Sequence, residues 1–244
     1  MATMNTTTTT TPVWGGRDAN ARAVWVGCGE SPEWIAAHTD ALLSQFGAAF
    51  DISEWRLTEG QEWAGSLDVL AGIVRSNPVR ELVGASEEIG DILPNEGYSF
   101  VVSGASSRVR LRAWIAAGYP AVGTRLPRRR LNIELREMYT GALTSADGDA
   151  VCRAVTQAWE PAMLVLTDDP VRQLARRGNW KIGVGYRTWI SGEVGQISHL
   201  VDRLTATELA GGTLISAPDD WPAERVVEAM TATLRENGLD EVPH

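Results

Sequence analysis

The residues best placed to do chemistry begin with Gly27-Cys28-Gly29, which follows an apolar stretch and precedes Ser31-Pro32-Glu33. Glycine lets backbone approach a nucleotide-type cofactor, and a helix N-terminus favours the negative charge such a cofactor carries. A full Gly-x-Gly-x-x-Gly needs its third glycine where Pro32 stands, so a tight turn between strand and helix is the favoured reading. The carboxylate pairs Asp168-Asp169 and Asp219-Asp220 each stand just before a proline-initiated helix, and N-capping accounts for them. His38, His199 and His244 are the only histidines, and none lies in H-E-x-x-H or at ligand spacing from a cysteine, so no metal is expected. Ser103, Ser106 and Ser191 fall outside G-x-S-x-G. Lys181 is the only lysine, and it lies in no phosphate-binding loop. Arg128-Arg129-Arg130 has the chemistry to grip phosphate or carboxylate, although a solvated loop entering a strand is preferred. No complete catalytic constellation emerges. The expectation is a protein that is not an enzyme and holds no cofactor.

The balance of 31 acidic against 22 basic residues gives a net charge of −9, which argues against a nucleic-acid binder and is compatible with a basic protein partner. Glu87, Glu88, Asp91, Asp168 and Asp169 are the candidate carboxylates for such a surface. Ten tryptophans against three phenylalanines supply core and anchors alike, because indole is both large and amphipathic. Most are expected in the core, with Trp55, Trp63 and Trp180, in polar surroundings, as the candidates for an interface rim. Cys28 and Cys152 supply neither a disulfide framework nor a zinc site, which points to a reducing compartment. With no leader pattern and no apolar run of spanning length, a cytoplasmic protein is expected, unattached to membrane. Residues 1–12, with the Thr6–Thr11 run, read as a disordered tail, and 13–244 as one compact domain.

The elements that must position these residues follow from periodicity. A short strand is expected around Val24–Val26. A helix then starts at Pro32 with Ser31 as N-cap and Ile35, Leu42, Phe46 and Ala49 on its buried face. A second helix carries Leu67, Leu70, Ile73 and Val74 up to Asn77-Pro78, and a short one is expected through Val79–Val83. Tyr98–Gly104 reads as a strand. Val109, Leu111 and Ala113 alternate with Arg108, Arg110 and Arg112, giving a strand with one wet, basic face, and Leu131–Arg136 alternates likewise. A helix through Val151–Ala158 ends at Glu160 before Pro161, and a short one opens at Asp169-Pro170. Lys181–Ile190 and Gly211–Ser216 read as strands, and Pro222 starts a last helix that stops at Gly238. Half-buried alternating strands without β-α alternation predict an α+β fold: a mixed or largely antiparallel sheet with helices packed on it.

Two resemblances follow. The Gly27–Gly29 loop resembles the first loop of a methyltransferase-like or Rossmann-like domain, which implies a cofactor-binding enzyme as the alternative function. Over roughly Val24 to Leu239, a different set of features resembles, in order and spacing, the immunity protein 52 family of bacterial polymorphic toxin systems. These are Trp25, the Glu30-Ser31 helix ending at Phe50, Trp55, Asn132 in a central strand, Trp159-Glu160-Pro161, and Gly211-Gly212-Thr213-Leu214-Ile215 before a final helix. That resemblance implies an antitoxin that binds and neutralises a cognate toxin, encoded by an adjacent gene and carrying a nuclease-type domain.

Overall fold

Ala19, Ala21 and Ala23 are small enough for a helix to lie close over their strand, and the computed structural model puts that strand at the middle of the sheet. The structure describes residues 11–16, 19–83, 88–123 and 125–244. In chain order the elements are β1 (Ala19–Val24), α1 (Pro32–Phe50), β2 (Arg56–Leu57), α2 (Leu67–Arg75), β3 (Arg80–Val83), β4 (Glu88–Ile92), β5 (Tyr98–Ala105), β6 (Val109–Ala117) and β7 (Arg130–Glu137). They continue with α3 (Ser145–Trp159), β8 (Met163–Thr167), α4 (Asp169–Ala175), β9 (Arg187–Ser191), β10 (Thr205–Leu209), β11 (Gly212–Ser216) and α5 (Ala223–Glu236). Nine strands form one sheet in the order β10-β11-β9-β8-β1-β7-β6-β5-β2, and β3 and β4 pair separately. Every pairing is antiparallel. This is the expected α+β architecture.

The helix starts obey their caps. Ser31 accepts from the Trp34 N–H at 3.2 Å with Pro32 behind it. Asp168 caps α4 by accepting from the Val171 N–H at 3.0 Å. Asp147 and Thr144 close a capping box on α3, and Asp147 also takes Arg108 on both oxygens, tying the β5–β6 turn to that helix start. On α1 the buried face runs through Ile35, Ala36, Thr39, Leu42, Leu43, Phe46 and Phe50. Ala49, expected on that face, is exposed, and Phe50, four residues after Phe46, takes the inward position.

Other expectations shift. The first strand ends at Val24, before Trp25. Val79–Val83 is not a helix: Val79 donates to Gly97 O, and Arg80–Val83 pairs with β4 as a strand. Lys181–Ile190 yields strand only from Arg187 onward, since residues 178–186 cross one face of the sheet with Gly183 against the Val165 side chain. Strand β10, which carries no apolar alternation, pairs as an edge strand on β11.

Asp219 is no helix cap, and Pro222 holds that position for α5. Instead Asp219 accepts from Trp14 Nε1 at 2.9 Å and pairs with Arg187, a guanidinium only 3% exposed. Arg187 also reaches Asp149 at 2.7 Å, Ser145 Oγ at 2.7 Å, and the carbonyls of Tyr186 and Ala217. Burial pushes the Asp219 carboxyl up, but Arg187 and the hydrogen bonds from Ser145 and Trp14 outweigh it and hold the group below its ordinary value. Asp147 is likewise held low against its own burial by Arg108 and Thr144.

Removing one partner from so buried a pair strands the other, so Arg187→Ala is expected to cost roughly 3–5 kcal/mol in a urea unfolding titration. With both carboxyls below the unfolded value of 3.8, the unfolded chain binds more protons in acid. Their contribution is therefore full above about pH 5 and is lost as pH falls through the folded values. Urea midpoints measured between neutral and strongly acidic pH should fall on that limb and fall less steeply in Asp219→Asn.

Candidate functional site

Strand β1 releases the chain into the turn 25–31, which Gly29 makes possible at φ 78 while its N–H donates to Tyr119 O at 2.7 Å. Glu30 is the polar centre of this turn. It accepts from Trp25 Nε1 at 3.3 Å and from the Gly118 N–H at 3.0 Å, and it forms an ion pair with Arg129. Arg129 is 3% exposed, so the middle of the arginine run is a buried partner of Glu30 and not part of a solvated loop. Burial lowers the Arg129 pKa although Glu30 pulls it upward.

Helix α3 ends beside this pair. Glu160 takes a left-handed conformation at φ 44, Pro161 follows it, and the turn sets the Trp159 ring against Trp25 and Trp34, with centroids 5.0 and 5.5 Å apart. His38 stacks on Trp34 at 3.6 Å, with Nδ1 2.8 Å from Trp34 O, a helix-surface contact and not a metal ligand set. Ser191, Glu193 and Val194 close one wall and Val242 and Pro243 another, enclosing an open cavity of about 600 Å³. A second hollow of about 470 Å³, floored by Trp189 and rimmed by Ala210 and Gly211, adjoins it, and the two share Glu160, Pro161, Ser191 and Glu193. They form one groove: aromatic at one end, with two exposed carboxylates at the junction. Glu160 and Glu193 make no ion pair among the described residues.

At the Glu160–Glu193 junction the chemistry of this groove suits a cation, and Arg129, which also lines it, is neutralised by Glu30. Indole faces attract positive charge, and carboxylates over a partly dry floor strengthen that attraction. It does not suit the cofactor alternative. A doubly wound nucleotide site needs parallel strands, whereas β1 runs antiparallel to both β7 and β8. The Gly27–Gly29 stretch is the tight turn, and an added Cβ at Gly27 would meet Arg129 Nη1 at 2.5 Å. Cys152 is buried, which pushes its thiol up to about 12 and leaves it unreactive, and Cys28 is exposed and unpaired with it.

The residues expected at a partner surface are scattered. Trp55 packs beside Phe46 at 6.4 Å, and Trp63 stacks on Phe100 at 5.6 Å while donating to Asp40. Trp180 stacks on His244 at 4.1 Å. All three are buried in the core, so none forms a rim; each polar flank belongs to a loop that folds its indole inward. Asp168 is 1% exposed and spent as a cap. Asp169 is exposed and paired with Arg172, and Asp91 is exposed on β4. Glu87 lies outside the described residues, and of Glu88 only its place in β4 is described. Glu193 and Val194 were missed, since a loop after a strand carries no periodic signal; Trp25 and Trp159-Glu160-Pro161 were singled out in the sequence without any indication that they meet.

No family model and no curated protein matches the chain. Among solved structures, "Pseudomonas aeruginosa T6SS protein PA0821" aligns at a TM-score of 0.45 and 10% identity, over 82% of this chain and 65% of that one. The chain thus spans under two thirds of that protein's length.

The glycines of the turn separate strain from collision. Gly29→Ala meets open space and is expected to cost about 1–2 kcal/mol for its left-handed backbone alone. Gly27→Ala displaces Arg129 from Glu30 and is expected to cost more, with most of the excess vanishing in an Arg129→Met background. Thermal melts of the double-mutant cycle measure it.

Proposed function

We propose that this chain is an immunity-type protein: it binds a cognate toxin and neutralises it, with no catalytic role of its own. The observation that carries this reading is the convergence on one groove of Trp25, Glu30, Trp159, Glu160, Pro161 and Gly211, all among the residues through which the chain resembles the immunity protein 52 family. These positions are far apart in sequence, and the fold gives them a common surface with an aromatic floor and, at Glu160, a carboxylate that makes no ion pair among the described residues.

The physical logic is that of a steered inhibitor. A nuclease-type toxin carries a basic surface for phosphate, and a protein of net charge −9 is drawn to it at long range. At contact, a lysine or arginine of the toxin enters between Glu160 and Glu193, its stem lying on Trp34. A few desolvated anchors of this kind supply most of the affinity, while rim charges set encounter rate and salt dependence. Asp91 and Asp169 are the remaining exposed carboxylates of the expected acidic surface and contribute at the rim.

The test is co-purification of the full chain with the catalytically disabled product of the adjacent reading frame at low and moderate salt. A complex that weakens as salt rises is expected. Glu160→Lys with Glu193→Lys should weaken it by about tenfold or more, as should Trp34→Ala, whereas Asp91→Lys should change it by about threefold or less. Lysine at position 160 meets the same backbone demand as glutamate, so the fold is retained. No complex at either salt, or a complex indifferent to both groove variants, contradicts the proposal.

A further inference from the structure

The two faces of the large sheet are covered unequally. Helices α1, α2 and α3 lie on one face, and on the other residues 178–186 cover β8, all five residues of which are buried. Over β7, β6 and β5 the second face stays open and each strand alternates between buried and accessible residues, whereas over β1 Arg22 donates to Asn179 O of the crossing segment at 3.2 Å. Arg110, Arg112, Arg130 and Arg136 stand on this open face, with Arg22 at its covered margin and a single carboxylate, Glu134, among the described residues. In a chain of net charge −9, that is a local reversal of sign.

Two observations show that the arrangement is unfavourable as it stands. Arg110 lies directly opposite Arg136 in the β6–β7 register, a cross-strand like-charge pair that costs stability. Arg22 is pulled below the usual guanidinium range by burial and by Arg130 beside it. The one carboxylate, Glu134, faces Arg112 at 3.7 Å, which leaves Arg110 and Arg136 without an ion pair among the described residues. Anionic groups laid on this face would relieve both repulsions at once.

We propose that the open face of β7, β6 and β5 binds an acidic segment of a protein partner, whose carboxylates pair with Arg110, Arg112 and Arg136. Guanidinium groups take carboxylates in bidentate pairs, and alternate residues about 7 Å apart along a strand match the spacing of side chains on an extended segment laid across them. Nucleic acid fits the face less well. Base stacking needs a free aromatic surface, and Trp114, the aromatic side chain at the centre of this face, has the Arg112 guanidinium 4.5 Å over its ring. This surface is distinct from the acidic groove and takes a partner group of opposite sign, so it goes beyond the neutralisation reading.

The experiment is fluorescence anisotropy with a labelled oligoglutamate peptide and a labelled single-stranded oligonucleotide of equal charge, titrated with the full chain. Peptide binding that weakens with salt is expected, and the triple variant Arg110→Ser, Arg112→Ser, Arg136→Ser should lose about tenfold or more of it. A control variant removing Arg153, Arg172 and Arg235, exposed on other elements, changes net charge equally and should lose about twofold or less. Far-UV circular dichroism checks that both variants are folded. Absent peptide binding, equal loss in the two variants, or an oligonucleotide bound as tightly as the peptide would each overturn the proposal. Glu160→Lys with Glu193→Lys should leave peptide binding in place, which keeps this result separate from that of the groove.

Discussion

The buried Arg187 guanidinium is the constraint on which the arrangement of this molecule depends. A cation 3% exposed has to be surrounded by acceptors, and those it finds come from different parts of the chain: Asp149 and Ser145 at the start of α3, Asp219 and Ala217 O after β11, and Tyr186 O beside it. Asp219 extends the network to Trp14, so the segment before β1 is fastened by the same charge. Fixing the first turn of α3 fixes the direction of the whole helix. At its far end, Trp159 and Glu160 are thereby delivered beside Trp25 and Trp34. The groove is thus held by a network more than ten residues of helix away from it.

A second buried pair finishes the job locally. Glu30 and Arg129 join the turn after β1 to the entry of β7, and Trp25 Nε1 and the Gly118 N–H satisfy the carboxylate. Between these two networks the sheet is clamped on its helix-bearing side. Among the described residues the other side carries no such buried clamp over β5, β6 and β7, where the arginines of alternating strands reach solvent. The molecule therefore offers two surfaces of opposite sign: an acidic groove built by aromatic packing and a basic face built by strand alternation.

How far this was legible in the sequence depends on the range of the determining contacts. The start of α1 at Pro32 and the end of α3 before Pro161 are local events of capping and proline geometry, and both were read correctly. The wet basic face of β6 followed from a period of two, which is local as well. Misreadings arose where a distant partner decides. Val79–Val83 has the composition of a short helix, but Gly97 offers Val79 a backbone partner and β4 takes the rest. Asp219 looks like a cap and is a ligand of Arg187, 32 residues earlier. Trp55, Trp63 and Trp180 sit among polar neighbours in sequence while their rings find Phe46, Phe100 and His244. The groove was invisible for the same reason: Trp25, Trp159 and Glu193 come from a turn, a helix end and a loop.

The most direct measurement of the central claim is amide hydrogen exchange on the chain alone and in its complex with the disabled toxin. If the groove is where the toxin docks, protection on binding should concentrate in residues 25–34, 159–162, 191–194 and 210–211, the segments that line its two hollows. Protection confined to β4 and the start of α4, where Asp91 and Asp169 lie, with the groove exchanging as in the free chain, would contradict the account.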